Sequence, residues 1–325
     1  MTIDNKMVIV IPVFNDWDNV SLLLPLISSA LSIEVNDVGN CEVLLVDDAS
    51  TIAFKRDFRV EELAHIKAIK ILRLKRNMGH QRAIAIGLYY VRQNLTPKAV
   101  VIMDGDGEDS PSDLPRLINT CAESSFSKIV FACRKKRSEG IVFRFFYLFY
   151  KLIFRFLTGV SIRIGNYSVI PGQLLGDVIA LSDIWLHYAS GIMKSHIDKT
   201  EIAVDRAKRL SGESKMNFTA LIMHGIRAIS VYGGVVGVRL LLFSLVVAVT
   251  CSVLILVTIF IRFFTALAIP GWATNVVMTL FVIILQTMLF ILFFIFVIFQ
   301  NIDYNLSFAI EKEYSYLVDN VTDLT

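Results

Sequence analysis

The sequence predicts an α/β fold with a mostly parallel sheet, followed by a hairpin of two membrane-spanning helices. Three observations carry this. Across the first 130 residues, short apolar runs alternate with helical patterns, which implies parallel strands joined by right-handed crossovers. One of those runs, Val100 to Met103, ends abruptly in Asp104-Gly105-Asp106-Gly107-Glu108-Asp109, so four carboxylates fall within six residues of a strand end. The last third holds two long uncharged stretches, Leu240 to Ile261 and Val276 to Phe299.

Met7 to Val13 reads as the first strand, and Val20 to Leu31 as a helix. Glu42 to Val46 is a second strand, ending in Asp47-Asp48-Ala49-Ser50. Ile69 to Leu74 is a third, followed by Asn77-Met78-Gly79-His80 and a helix from Gln81 to about Val91. Val100 to Met103 is the fourth, with a helix expected from about Pro111, and Ile129 to Ala132 is the fifth. Apolar runs without alternation suit strands covered on both faces. Taken alone, the acids at 104–109 are explained as well by a solvated turn that caps the next helix. Three successive strand ends, however, carry polar or acidic residues. In a parallel sheet these ends share one edge, where open α/β folds bind ligands.

Residues 141–160 are almost entirely aromatic and aliphatic apart from Arg144, Lys151 and Arg155, which fall within about 40° on one helical face. A narrow basic stripe on an apolar body suits a helix lying in the headgroup region. A core helix with snorkelling cations has the same pattern, but the rest of this chain is anchored in a membrane. Asn217 to Tyr232 reads as a second such helix, leading through Gly233-Gly234 into the first span. Each uncharged stretch is long enough to cross a bilayer, and Gln286 is the only strongly polar side chain in either. Arg262 to Asn275 links them, with Pro270-Gly271 as the turn. The flanks of a hairpin lie on one side. Lys208, Arg209, Lys215, Arg227 and Arg239 precede the first span while the link carries only Arg262, so residues 1–239 and the tail from Asn301 are expected in the cytoplasm. The organisation expected is 1–140 α/β domain, 141–236 interfacial helices and acceptor region, 237–300 hairpin and 301–325 tail.

Composition agrees. The chain is 55% hydrophobic, with a mean hydropathy of +0.61, too apolar for an ordinary soluble enzyme. A net charge of +3 is unremarkable, and no nucleic acid partner is expected. Met7 to Phe14 is too short for a signal peptide core. Cys41, Cys121, Cys133 and Cys251 lack metal or disulfide spacing and read as reduced thiols.

Closely packed carboxylates repel unless a cation compensates. In a crevice of this kind a divalent cation, Mg²⁺ or Mn²⁺, is commonly shared between protein acids and the phosphates of a substrate. An adjoining membrane-lying helix implies a lipid as second substrate. The chemistry thus points to transfer between a nucleotide-activated group and a membrane lipid.

Val10-Ile11-Pro12-Val13-Phe14-Asn15-Asp16, Val46-Asp47-Asp48-Ala49-Ser50, Asn77-Met78-Gly79-His80-Gln81, Asp104-Gly105-Asp106 and Gly212-Glu213-Ser214-Lys215 occur in this order. That set resembles glycosyltransferase family 2, and within it the polyprenyl-phosphate glycosyltransferases, over essentially the whole chain. The resemblance implies a GT-A type, Rossmann-like α/β domain, a nucleotide-sugar donor and a polyprenyl-phosphate acceptor. It also implies a bacterial inner-membrane location and a homo-oligomer, such as a tetramer.

By position, the resemblance puts Pro12, Phe14 and Asp16 around the nucleotide, with Asp16 where a Glu is more usual. Asp47 and Asp48 resemble acids that bond base and ribose, and Gly79, His80 and Gln81 belong to the same donor site. Asp104 and Asp106 resemble a metal-binding pair, with Glu108 as a third carboxylate where a Gln is usual. Arg134 matches a basic residue of the acceptor loop. Arg209, Ser214 and Lys215 resemble a cationic flap over donor and acceptor phosphates, although juxtamembrane charge alone would also explain Arg209 and Lys215. Asn166, in Gly165-Asn166-Tyr167, stands where many relatives have Asp. A phosphate nucleophile with a second pKa of about 6 is already anionic near neutrality, so loss of that acid need not remove activity. The implied reaction is inverting and metal-dependent. Rival readings are a transferase using diacylglycerol or a growing glycan, and a non-enzymatic membrane scaffold. The Gln-x-x-Arg-Trp motif of processive synthases is absent, and the acidic triplet that a degenerate domain would lose is intact.

Overall fold

The computed structural model describes residues 4–32, 40–54, 63–134, 151–160, 164–205, 207–212, 218–265, 269–302, 314 and 317–324. The chain divides into two compact units, one of residues 1–147, 162–231 and 306–325 and the other of 148–161 and 232–305.

The first unit is built on a mixed sheet. Its strands are β1 (Asp4–Val13), β2 (Asn40–Asp47), β3 (Ile66–Leu74), β4 (Pro97–Ile102), β5 (Ile129–Arg134), β6 (Ile164–Pro171), β7 (Lys199–Val204) and β8 (Val318–Asp323), in the spatial order β7-β5-β6-β4-β1-β2-β3-β8. β3, β2, β1 and β4 run parallel. β6 is antiparallel to both β4 and β5, β5 and β7 are parallel, and β8 is antiparallel to β3. This is the mostly parallel sheet that the alternation predicts, of the GT-A-like kind that the resemblance implies, with β6 inserted where a fully parallel order would put β5 beside β4.

Period-two alternation divides the core. On β1, Val8 and Val10 face one hydrophobic cluster, with α2 (His80–Asn94), α5 (Leu175–Ala180) and α6 (Tyr188–Lys194). Met7, Ile9 and Ile11 face the other, with α1 (Trp17–Leu31) and α3 (Leu114–Glu123). Both sides are buried, which is why these strands read as unbroken apolar runs. Gly87 lets α2 approach the sheet: a Cβ there would lie 2.7 Å from Val10 Cγ1 and 2.8 Å from Val46 Cγ2.

Three strands, β6, β7 and β8, had no counterpart in the sequence reading, and β6 and β8 matter below. β6 pairs Ala99 with Pro171 and Ile102 with Ser168, and continuing that antiparallel register brings Asn166 beside Asp104. β8 lies in the segment expected as a tail. It pairs Leu74 with Val318 and Lys70 with Asp323, flanked by Lys75 N–H to Leu317 O and Leu324 N–H to Ile69 O, each 2.9 Å. The segment expected as a second interfacial helix forms α7 (Phe218–Ser230), within the first unit.

The second unit holds α8 (Gly233–Phe264) and α9 (Trp272–Ile302), which pack against each other, and a helix over residues 151–158, here α4. Both long helices are apolar enough to cross a membrane, each holding an 18-residue stretch whose mean hydropathy is 3.0 in α8 and 2.7 in α9. Their Leu, Val, Ile and Phe side chains are largely exposed, as lipid-facing residues must be, while Cys251 and Thr258, two turns apart on α8, are buried. Small residues at such positions allow close helix approach in lipid. Hydroxyls of Thr250, Ser252, Thr258, Thr279 and Thr287 each donate to the carbonyl four residues back, which satisfies these donors within their own helices. α4 ends at Gly159, whose φ is +81°. There Arg239 Nη1 donates to Phe156 O at 2.7 Å, capping a helix-end carbonyl. The remainder of the proposed basic stripe, including Arg144, lies outside the described residues.

Candidate active site

Registers Val13↔Asp47 and Val10↔Ile102 bring the C-terminal ends of β1, β2 and β4 to one edge. The loops after them are tied together by short polar links. Asn15, at φ +53°, accepts at Oδ1 from the Thr51 and Ile52 N–H groups at 2.8 and 3.0 Å, and its own N–H donates to Ser50 Oγ at 2.9 Å. Asp47 Oδ1 accepts from Ser50 N–H at 2.8 Å, and its Oδ2 lies 3.8 Å from Arg73 Nε. Asp48 accepts from the N–H groups of Met78 (2.6 Å) and Gly79 (2.8 Å), one at each oxygen. Asp48, just after β2, therefore shapes the entrance to α2, where Gly79 takes φ +87°.

The acidic turn after β4 is organised by its own side chains. Asp109, buried, accepts from Asp104 N–H at 3.0 Å, and Asp106 Oδ1 accepts from Glu108 N–H at 3.0 Å. Tyr167 of β6 anchors the turn through its hydroxyl, which donates to Ser110 O at 2.9 Å. Residues 207–212 lie along the turn: Ala207 N–H donates to Glu108 O (3.1 Å) and Leu210 N–H to Asp106 O (3.0 Å). Arg209 is thereby delivered into the carboxylates. Its Nη1 contacts Asp106 Oδ2 at 3.2 Å, its Nη2 pairs with Asp16 Oδ2, and its Nε donates to Ser211 O at 3.0 Å. Asn19 completes the arrangement, its amide donating to Asp16 Oδ1 (3.0 Å) and Ser211 O (3.1 Å).

On the other side of Asp104 lies a side-chain chain from α6 through α2 to β6. Tyr188 N–H donates to Gln81 Oε1 at 2.6 Å, which turns the Gln81 amide nitrogen towards Asn166 Oδ1, 3.4 Å away. Asn166 Nδ2 lies 3.0 Å from His80 Nε2, which is 3.1 Å from Asp104 Oδ1. Asn166 thus stands at the acidic turn, its amide within reach of both His80 and Gln81.

Charge crowding shows in the ionisation of the site. Burial, then Asp104 and Glu108, push the Asp106 carboxyl up to about 6, against the opposing pull of Glu108 N–H and Arg209. Burial also raises Asp48, despite its two N–H donors. At His80, desolvation works against the cation, but Asp104, Asp109 and Asp106 together outweigh it and raise the pKa.

Of the residues singled out from sequence, the structure brings together Asp16, His80, Asp104, Asp106 and Arg209. Phe14 is 44% exposed at the end of β1, whereas Pro12 is buried within that strand. Gln81 is 2% exposed and serves packing and orientation. The backbone of Arg134 ends β5, paired with Val204. Ser214 and Lys215 lie outside the described residues. Among the described residues no three His, Cys, Asp or Glu side chains converge as a metal cluster, so the expected trio of Asp104, Asp106 and Glu108 is not assembled. Sequence reasoning missed Asn19, which had no signal beyond an Asp-x-x-Asn spacing, and Arg227. The latter counted only as membrane-proximal charge, yet its guanidinium lies 3.5 Å from where a Gly79 Cβ would be.

The family described as "Glycosyl transferase family 2" matches residues 8–185. A dodecaprenyl-phosphate galacturonate synthase of Rhizobium johnstonii is 29% identical over 217 residues, covering 64% of this chain; the chain spans 60% of that relative's length. An undecaprenyl-phosphate 4-deoxy-4-formamido-L-arabinose transferase of Enterobacter sp. is 27% identical over 301 residues, covering 86% of this chain and 83% of the relative. Among solved structures, a glucosyl-3-phosphoglycerate synthase from Mycobacterium tuberculosis aligns with a TM-score of 0.48 at 14% identity, covering 71% of this chain and 80% of that one.

Proposed function

The chain belongs to glycosyltransferase family 2, and on that premise we propose that it transfers a sugar from a nucleotide-sugar donor to a polyprenyl phosphate, with inversion, at the cytoplasmic face of a bacterial inner membrane. The observation that carries this reading is the cluster of Asp16, Asp104, Asp106 and Arg209 at one sheet edge, in a chain that also has two helices of membrane length. The acceptor class is suggested by two relatives named for dodecaprenyl and undecaprenyl phosphate. The membrane face follows from Lys208, Arg209, Lys215, Arg227 and Arg239 upstream of α8, against Arg262 alone in the link.

Asp104 and Asp106 fit a divalent cation. They flank Gly105, and the second is hard to ionise among its neighbours, which is the condition that a bound cation relieves. A protein pair, without a third acid, is enough where substrate phosphates supply further ligands. Bound there, Mg²⁺ or Mn²⁺ would neutralise charge developing on the departing nucleoside diphosphate. The chain's own residues do the rest. Asp47 and Asp48 hold the loops that frame the donor, and His80 orients Asp104. Arg209 places a cation where two anionic substrates must meet, offsetting their repulsion. The acceptor phosphate, with a second pKa of about 6, carries its own nucleophilic charge. An amide at 166 is compatible with that chemistry, since no proton has to be removed by the protein.

The test is transfer of labelled sugar to a short-chain polyprenyl phosphate, offered with a panel of nucleotide sugars and Mn²⁺. Asp106→Asn is expected to lower turnover by about 100-fold or more while the purified protein keeps its unfolding transition. Near-normal turnover in the variant removes Asp106 from the reaction, and labelled product with diacylglycerol alone changes the acceptor.

A further inference from the structure

We propose that Arg209 is the resident counter-cation of the acidic turn, so that a divalent ion gains access to Asp106 only when a diphosphate donor draws the guanidinium away. This rests on the transferase reading above. Two arms of the guanidinium engage Asp106 and Asp16, and the third nitrogen is held by Ser211 O. Asp106 Oδ2, the oxygen on which Arg209 sits, is therefore already taken, since Oδ1 accepts from Glu108 N–H. A divalent ion approaching the same carboxylate meets a fixed positive charge, and like charges at this range oppose each other strongly away from bulk water.

Backbone contacts limit how that exchange can proceed. Ala207 N–H to Glu108 O and Leu210 N–H to Asp106 O fasten residues 207–210 to the turn itself. Leu210 seats against Gly107, where a Cβ would lie 2.4 Å from its Cγ. Asn19 holds both Asp16 Oδ1 and Ser211 O. With these anchors in place, Arg209 leaves Asp106 by rotating its side chain, and its Cα stays at the site. The released guanidinium then meets the phosphate oxygens of the donor, which fit its planar fork. Carboxylates pass to the ion as the guanidinium passes to the diphosphate, so no charge is stranded at the half-buried edge. Ion and donor bind together, each weakly alone.

Mn²⁺ binding to the full-length protein in detergent, read by the electron paramagnetic resonance signal of the free ion without any nucleotide, tests this. Arg209→Gln is expected to bind Mn²⁺ about tenfold more tightly than the wild type, the equivalent of one charged competitor removed. Arg209→Lys, which keeps the charge, is expected to bind as weakly as the wild type, and Asp16→Asn, which frees one arm, to fall between. UDP, GDP, CDP and dTDP are added in turn; the matching one tightens Mn²⁺ binding to the wild type far more than to Arg209→Gln. Equal Mn²⁺ affinity in wild type and Arg209→Gln, with Asp106→Asn weakening both, overturns the proposal and leaves the metal pair intact. Binding to Arg209→Gln that Asp106→Asn does not diminish overturns the metal pair itself.

Discussion

Asp106 shows how a site residue acts against the stability of its own fold. Its carboxyl is pushed up to about 6 by burial and by Asp104 and Glu108, while the unfolded chain titrates near 3.9. Between those values the folded protein holds more protons than the unfolded one, so stability is greatest below the unfolded value and is lost as pH rises through about 6. Asp106→Asn removes that penalty. In the absence of divalent ions the variant is expected to be more stable than the wild type by roughly 1–2 kcal/mol at pH 7.5, with the difference shrinking towards pH 4. Unfolding followed by circular dichroism across that range measures it, and saturating Mn²⁺ should reverse the order by stabilising the wild type alone. The acidic pair was legible because Asp104, Gly105 and Asp106 are contiguous. Arg209 was legible as a cation but not as the partner of Asp16, 193 residues away, because no local pattern encodes such a pairing.

At the scale of elements, α2 and β6 position the site. α2 begins at His80 and runs against the sheet, and Gly87 is a point of close approach. Gly87→Ala gains about 1 kcal/mol of helix propensity, yet a methyl group at 2.7–2.8 Å from Val10 and Val46 costs roughly 1–3 kcal/mol in displaced packing. The net expectation is a protein destabilised by about 1 kcal/mol. Because α2 must shift, turnover should fall as well, which separates a moved His80 from a merely weakened core. Strands β1, β2 and β4 were readable since each is an apolar run covered on both faces, and β3 by its spaced Ile and Leu residues. β6 was not: its central residues are apolar, but only its antiparallel pairing with β4 and β5 carries Asn166 to Asp104 and Tyr167 to Ser110. β8, Val-Asp-Asn-Val-Thr-Asp, lacks the run of a core strand because it covers only an edge and leaves most of its side chains in solvent.

For the whole molecule, the membrane assignment follows from composition along the chain. α8 and α9 are helical over 32 and 31 residues, which at about 1.5 Å per residue exceeds the hydrocarbon thickness. A cysteine at Gly271, in a variant lacking the four native cysteines, is expected to react with an impermeant thiol reagent from outside intact cells. One at exposed Ser112 should react only after permeabilisation. Labelling of both from the same side would refute the cytoplasmic placement of the α/β unit.

Local order in the chain was enough to specify the alternating sheet, the acidic turn at the end of β4 and the two lipid-length helices, because each depends on neighbouring residues: periodicity, a strand end, an uncharged run. The return of the C-terminal segment to β3, the insertion of β6 and the closing of Arg209 onto Asp16 and Asp106 came from folding in three dimensions. Each joins residues far apart in sequence, and which distant groups meet is set by sheet register and packing, which no single segment contains.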